Sequence, residues 1–141
     1  MPLVDCIRTD VVTASPDDPV GDVARMMDER NVGSVVIARD GCPVGIVTDR
    51  DLALRVCARD VDPEHTSVSD VMTCDPFVVD RNDTLWNVME VAREQGVRRF
   101  PVVDDRSRLV GIITMDDVVR ILANEMSCVT DIIRQSSPQA R

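Results

Sequence analysis

Lysine is absent from this chain, and so is tyrosine. Every one of the 16 basic side chains is therefore an arginine, set against 25 acidic ones for a net charge of −9. Binding to a phosphate backbone draws on counterion release by clustered cations. An acidic chain without lysine offers little of it, so DNA, RNA and anionic membrane surfaces are not expected as partners. Also missing is any stretch near the ~18–20 consecutive apolar residues of a membrane span. The opening MPLVDCIRTD lacks the charged-then-apolar pattern of a secretory signal, so a cytoplasmic protein is expected.

Histidine occurs once, at His65. A histidine-based triad would rest on that residue alone, with no nucleophile motif beside it, so the chain is not expected to be an enzyme. The five cysteines (Cys6, Cys42, Cys57, Cys74 and Cys128) form an odd set with no C-x-x-C pair. They suit a reducing compartment in which most are small buried hydrophobes, not a disulfide framework. A zinc site drawn from Cys57, His65 and Cys74 has a spacing that fits no common structural pattern, and no metal is expected. Met26, Met27, Met72, Met89 and Met126 read as core filler.

What the 141 residues do hold is 44% hydrophobic side chains, enough for one domain-sized unit, or two very small ones, without a staple. The chain also repeats itself at an offset of about 65 residues. Val47-Thr48-Asp49-Arg50-Asp51-Leu52 falls on Ile113-Thr114-Met115-Asp116-Asp117-Val118, and each is preceded by a glycine, Gly45 or Gly111. One inserted residue near Asp104–Arg108 accounts for a change of offset along the match.

Each copy carries the same order of elements, β-α-β-β-α. In the first, Val11-Val12-Thr13 is a short β-branched run, Asp18 a helix N-cap and Pro19 the first helical residue. Val20, Val23, Ala24 and Met27 make one apolar helical stripe that Asn31 stops. Val32–Ala38 and Val44–Thr48 form a hairpin around Arg39-Asp40-Gly41, and a helix from Asp49 to about Ala58 closes the unit. The second copy runs Phe77-Val78-Val79, N-cap Asp83, the stripe Leu85, Val88, Met89 and Ala92, a stop at Gly96, strands Val97–Val103 and Leu109–Thr114, and a helix from Asp116 to about Met126. Lead-ins precede the copies at Leu3–Ile7 and Ser67–Met72, and Arg59–His65 is a polar linker. The expected layout is a first domain over 3–58, a linker over 59–66, a second domain over 67–126 and an extension over 127–141. Units this small bury too little surface alone. Two are expected to pack sheet to sheet about a pseudo-twofold axis, an α+β fold with two related clefts.

Paired β-α-β-β-α units ending in G-x-[IV]-[ST]-x-x-D, here Gly45–Asp51 and Gly111–Asp117, resemble a tandem of cystathionine β-synthase (CBS) domains, a Bateman module. Asp70-Val71-Met72-Thr73 and Gly96–Val103 are also typical of it, and in plan the chain is similar to short stand-alone bacterial CBS pairs, including those of the hypoxic-response type. The resemblance implies a regulatory sensor that binds AMP, ADP, ATP or S-adenosylmethionine between the paired domains and often dimerises. No effector domain is seen in the sequence, so any regulated protein is expected to be a separate chain. The alternative of another class is a ligand-free protein–protein interaction module.

The matched residues suit the sensor reading. Thr48 and Thr114 end buried strands beside helix N-termini, where a hydroxyl and free N–H groups can meet a phosphate or ribose oxygen. Asp51 and Asp117 can each accept from two ribose hydroxyls, as acidic residues do in dinucleotide folds; the plainer role for both is helix N-terminal stabilisation. Arg98 and Arg99 occupy the place where nucleotide-binding relatives carry a basic pair, and an arginine fork suits phosphate. Copy one has Gly33-Ser34 there, so the clefts are expected to be unequal. Arg50 is a second phosphate candidate, whereas Asp116 in the same place of copy two would repel one. Thr13 and Val78 sit where the family contacts the adenine edge. Trp86 is either an interface anchor or packed on the linker. Apolar residues from Val118 to Ile133 outlast the repeat, so the extension is expected to pack on the paired unit or on another subunit, with Gln135–Arg141 frayed.

Overall fold

The computed structural model describes residues 3–138. A 3₁₀ turn, Leu3–Cys6, precedes β1 (Thr13–Ala14), α1 (Val20–Arg30), β2 (Ser34–Arg39), β3 (Cys42–Thr48) and α2 (Asp49–Leu52), which continues as a π-helical turn over Ala53–Cys57. A second 3₁₀ turn, Val68–Asp70, leads to β4 (Thr73–Cys74), β5 (Val79–Asp80), α3 (Leu85–Gln95), β6 (Arg99–Val103), β7 (Leu109–Thr114) and α4 (Met115–Ser136). One sheet has the order β1-β2-β3-β4 and the other β5-β6-β7. In each, the first strand pairs parallel with the next across a helical crossover, and the hairpin that follows is antiparallel.

The strands are continuous apolar runs because both faces of each sheet are covered. Val35, Ile37 and Val47 pack with Val20, Val23 and Met27 of α1. Val36 between them points the other way, yet it is fully buried. In the second sheet Phe100, Val102 and Ile113 join Leu85, Val88 and Val118, while Pro101 and Ile112, on the opposite face, are buried as well. Those remaining faces lie between the repeats, where the Leu109 N–H also donates to the Gly41 carbonyl at 2.9 Å. The fold is thus the expected α+β pair of β-α-β-β-α units.

Each lead-in segment packs into the other repeat. Leu3 and Cys6 belong to the core of the second repeat, and Val68 and Val71 to that of the first. Arg8 exchanges two backbone hydrogen bonds of 2.9 Å with Ile112, and β4 adds to β3 through Gly45 and Ile46. The glycines of the repeated motif permit this crossing. A Cβ on Gly111 would collide with Ile7 Cγ2 and lie 2.7 Å from the Arg8 carbonyl oxygen, and one on Gly45 would collide with Met72 Sδ. The packed units are therefore not contiguous stretches of chain.

Local signals were partly displaced. Asn31 and Gly96 end α1 and α3 in the left-handed region, at φ 53° and 64°. Asp18, however, does not cap α1. Its carboxylate accepts from the Ser15 N–H at 2.9 Å, because the Val20 and Gly21 N–H groups at the helix start already donate to the Thr66 and Pro63 carbonyls, each at 2.9 Å. The cap of α3 is Thr84, whose Oγ1 accepts from the Asn87 N–H at 3.2 Å, and not Asp83. The strand expected at Phe77–Val79 is confined to β5, with Phe77 and Val78 exposed.

The inserted residue falls in a hairpin turn. Copy one turns tightly through Asp40 and Gly41, both at positive φ, between the paired Arg39 and Cys42, as a two-residue hairpin requires. Copy two turns more widely over residues 104–108. Asp104 Oδ1 accepts from the N–H groups of Arg106 and Arg108 at 2.9 and 3.0 Å, and these bonds hold its carboxyl below the usual carboxylate range. A group so depressed stabilises the fold above the unfolded pKa, and that contribution fades as pH falls through the lower folded value. Asp104→Asn is therefore expected to lose stability near neutral pH and to flatten the acid limb of a urea-melt series below about pH 4. Parallel acid limbs for variant and wild type would count against that role.

Candidate functional site

One cleft, of about 230 Å³, opens between the repeats. Copy one lines it with Arg8, Asp10, Val12 and the turn Asn31–Ser34, and copy two with Arg99, Thr114, Asp117 and Arg120. Its shape follows from local structure. Asn31 turns the chain sharply, and Gly33 then keeps the wall open: a Cβ there would come within 3.4 Å of both Arg99 Nη2 and Asp49 Oδ2. Thr114 ends β7 and caps α4, accepting the Asp117 N–H at 3.1 Å and donating its hydroxyl to Asp117 Oδ2 at 2.9 Å. The positive dipole end of a 22-residue helix therefore sits at the cleft, with the Met115 N–H taken up by the Arg98 carbonyl at 2.9 Å.

Asp117 is the buried charge at its centre, 4% exposed. Its Oδ1 accepts from Arg8 Nε at 3.2 Å and from Arg120 Nη2 at 2.9 Å. Both arginines are more than half exposed, so their charge is partly solvated while the carboxylate's is not. Arg99 has no ion pair among the described residues. Arg98 instead pairs with Asp116 at 2.9 Å, both largely exposed, so the charge expected to repel a phosphate is neutralised by the neighbour expected to attract one.

The structure thus brings Arg99, Thr114 and Asp117 together, with Arg98 at the rim, where it shares a hollow of about 100 Å³ with Arg99 and Thr114. Thr48 and Asp51 do not line that cleft. They form a reciprocal capping box, Thr48 Oγ1 accepting from Asp51 N–H at 3.1 Å and Asp51 Oδ2 from Thr48 N–H at 2.9 Å. Arg55 lies 3.5 Å from Asp51 and donates to the Val71 carbonyl at 2.8 Å. Arg50 is exposed beside them. Thr13 opens onto a separate hollow of about 460 Å³ with Ser15, Asp18 and Leu109, and Val78 is exposed outside the cleft. Sequence reasoning did not reach Arg8, Asp10 or Arg120. Arg120 stands one helical turn from Asp117 and was visible as such, whereas Arg8 reaches Asp117 only through the exchanged lead-in.

Elsewhere, Trp86 is 68% exposed. Of the cysteines only Cys6 is buried, against the expectation that most would be; Cys57, Cys74 and Cys128 are exposed. Burial pushes the Cys6 thiol up. His65 Nδ1 lies 2.7 Å from Asp62 Oδ2. Among the described residues no three His, Cys, Asp or Glu side chains gather to hold a metal, and no helix is long and apolar enough to cross a membrane.

The CBS domain profile matches residues 4–57 and 68–124. The chain belongs to the CBS domain family. It is 34% identical over 135 residues to the CBS domain-containing protein YhcV of Bacillus subtilis, covering 94% of this chain and 95% of that one. An uncharacterized protein of Methanopyrus kandleri is 34% identical over 115 residues, or 81% of this chain, which spans only 59% of that relative's length. The inosine-5′-monophosphate dehydrogenase of Methanocaldococcus jannaschii is 34% identical over 79% of this chain, a match that takes in 21% of that enzyme. Among solved structures, a CBS domain pair in complex with 5′-methylthioadenosine and S-adenosyl-L-methionine superposes with a TM-score of 0.77 at 24% identity, covering 86% of this chain and 99% of that one. A CBS domain protein from Pyrobaculum aerophilum complexed with AMP gives 0.75 at 22%, covering 83% and 89%. At these identities the likeness is one of fold.

Proposed function

We propose that the chain is a non-catalytic regulatory module that binds an adenosine-containing ligand, AMP, ADP, ATP or S-adenosylmethionine, in the cleft between its CBS repeats, and that it acts as a homodimer on a separate partner chain. The observation that carries this reading is the convergence of Arg99, Thr114 and Asp117 at the N-terminus of α4. That two CBS pairs of the same fold hold adenosyl ligands supports it. In this reading the unpaired Arg99 guanidinium takes a phosphate or carboxylate, and the Thr114 hydroxyl joins it by turning its one proton away from Asp117 Oδ2. Asp117 accepts from the ribose hydroxyls, and Asp10 and Val12 border the base.

The cleft is also smaller than the roughly 300–1,000 Å³ of most small-molecule sites. A nucleotide therefore enters as Arg8 and Arg120 swing away from Asp117 toward its anionic end. Ligand binding thereby pulls on the Leu3–Arg8 lead-in, which is packed in the second repeat, and shifts the relative population of repeat arrangements that a partner reads. Calorimetry of the purified chain against AMP, ADP, ATP and S-adenosylmethionine tests this. Binding of at least one ligand is expected, weakened roughly 10–100-fold in Arg99→Ala, the loss of about one charged hydrogen-bond contact. No heat and no thermal shift with any of the four would favour a ligand-free interaction module.

A further inference from the structure

The wall of the cleft is balanced in charge. It holds three arginines, Arg8, Arg99 and Arg120, and three carboxylates, Asp10, Asp116 and Asp117. Arg8 and Arg120 both serve Asp117, which leaves Arg99 as the cleft arginine without an ion pair among the described residues. From Arg99 and Thr114 the cleft runs on into the hollow of about 100 Å³, since these two residues and Asp116 line both spaces, and Arg98 completes the hollow. A second phosphate, following a first held at Arg99 and Thr114, has this hollow to enter. Its charge is already matched. The Arg98 carbonyl accepts the Met115 N–H at 2.9 Å, which brings residues 98 and 116 together, and their side chains pair at 2.9 Å. Asp49 is a further acid near Arg99: a Cβ on Gly33 would lie 3.4 Å from Asp49 Oδ2 as well as from Arg99 Nη2.

We propose that Asp116 determines specificity by restricting the cleft to adenosyl ligands with one anionic group, the phosphate of AMP or the carboxylate of S-adenosylmethionine, and disfavouring ADP and ATP. The proposal rests on the adenosyl reading above and narrows its ligand. Arg98 and Asp116 are neutral as a pair, so a second phosphate gains no net attraction from them. Their side chains are 74% and 72% exposed, and a pair so exposed is weakly held. Arg98 can therefore turn to a phosphate, but this leaves the Asp116 carboxylate uncompensated beside it, and like charges a few ångströms apart repel. Arg8 and Arg120 do not change the balance, because each that turns to the ligand leaves Asp117 less compensated. Each further phosphate thus adds charge without adding a partner. The repeated motif does not demand an acid at this position, since the matching residue of copy one is Arg50. Asp116 also lies in the first turn of α4, where a carboxylate stabilises the helix, but that role is blind to the number of phosphates on a ligand.

Calorimetry of the full chain against AMP, ADP, ATP and S-adenosylmethionine, at low salt in EDTA and again with magnesium, tests this beside Asp116→Asn and Asp116→Glu. In wild type, AMP or S-adenosylmethionine is expected to bind roughly tenfold more tightly than ATP, with ADP between, and the tighter of the first two identifies the source of the anion. Asp116→Asn releases Arg98, and is expected to gain roughly tenfold in ATP affinity while AMP affinity stays within about twofold. Asp116→Glu keeps the charge and is expected to keep the wild-type order. High salt, at which the Debye length falls to about 3 Å, is expected to narrow the gap. Equal affinities for AMP and ATP in wild type, or a ratio that Asp116→Asn leaves unchanged, overturn the inference. So does ATP binding that requires magnesium and is lost in Asp116→Asn, which would make the carboxylate a cation ligand. Those outcomes leave the adenosyl reading standing. A chain that binds none of the four ligands fails that reading, and this inference with it.

Discussion

Gly111→Ala is expected to cost about 3 kcal/mol of stability, the upper end of overpacking penalties. The added methyl meets both Ile7 and the Arg8 carbonyl oxygen. The second of these is backbone, held in place by the two hydrogen bonds with Ile112, so it cannot step aside without surrendering them. Gly45→Ala tests the argument from the other repeat. There the obstacle is the flexible thioether of Met72, which has other rotamers, and a cost nearer about 1 kcal/mol is expected. Urea melts of the two variants read the difference directly. Hydrogen exchange is expected to show faster exchange of the Arg8 and Ile112 amides in Gly111→Ala, as the lead-in loosens while the first repeat stays closed. Equal losses for the two glycines would mean that the crossing segments do not set the requirement for glycine.

The second large effect is expected at Asp117. Asp117→Ala removes the one acceptor shared by Thr114, Arg8 and Arg120, and a stability loss of about 2 kcal/mol is expected. That is below the cost of breaking a wholly buried pair, because the arginines are solvent-accessible and keep most of their hydration. Asp51→Ala loses a capping box instead, for about 1 kcal/mol. Ligand binding separates the two more sharply. If the cleft at Asp117 is the site, adenosyl-ligand affinity falls at least about tenfold in Asp117→Ala and is unchanged in Asp51→Ala. Calorimetry showing the loss in Asp51→Ala alone would move the site to the other repeat. The comparison is free of a folding artefact as long as both variants are measured below their melting onset.

Much of this fold was legible because local and global signals agree. The β-branched runs, the helical stripes ending at Asn31 and Gly96, and the doubled Gly–Thr–Asp motif each point to the same elements in both copies. Thr114 and Asp117 were legible for the same reason, since a motif places both at a strand-to-helix junction. Signals failed where a distant segment replaced a local one. Asp18 has the chemistry of an N-cap, but the carbonyls of Pro63 and Thr66 already occupy the donors it would have served. Arg8 carries no motif, and its pairing with Asp117 across more than one hundred residues of chain follows from the exchange of lead-ins, which periodicity does not encode. The length of α4 was misjudged because the repeat was expected to end near Met126, whereas nothing from Leu122 to Ser136 contains a glycine or proline to stop it.

The exchange of lead-ins also imposes an order on synthesis. Leu3 and Cys6 leave the ribosome well before the side chains they pack with, Val79 to Val118, have been made. The first repeat can close once Val71 has emerged, so it folds while the Leu3–Cys6 segment still waits with two apolar side chains in water. For the length of time needed to translate the second half, a chaperone or a neighbouring nascent chain has access to that segment. The finished protein no longer offers it.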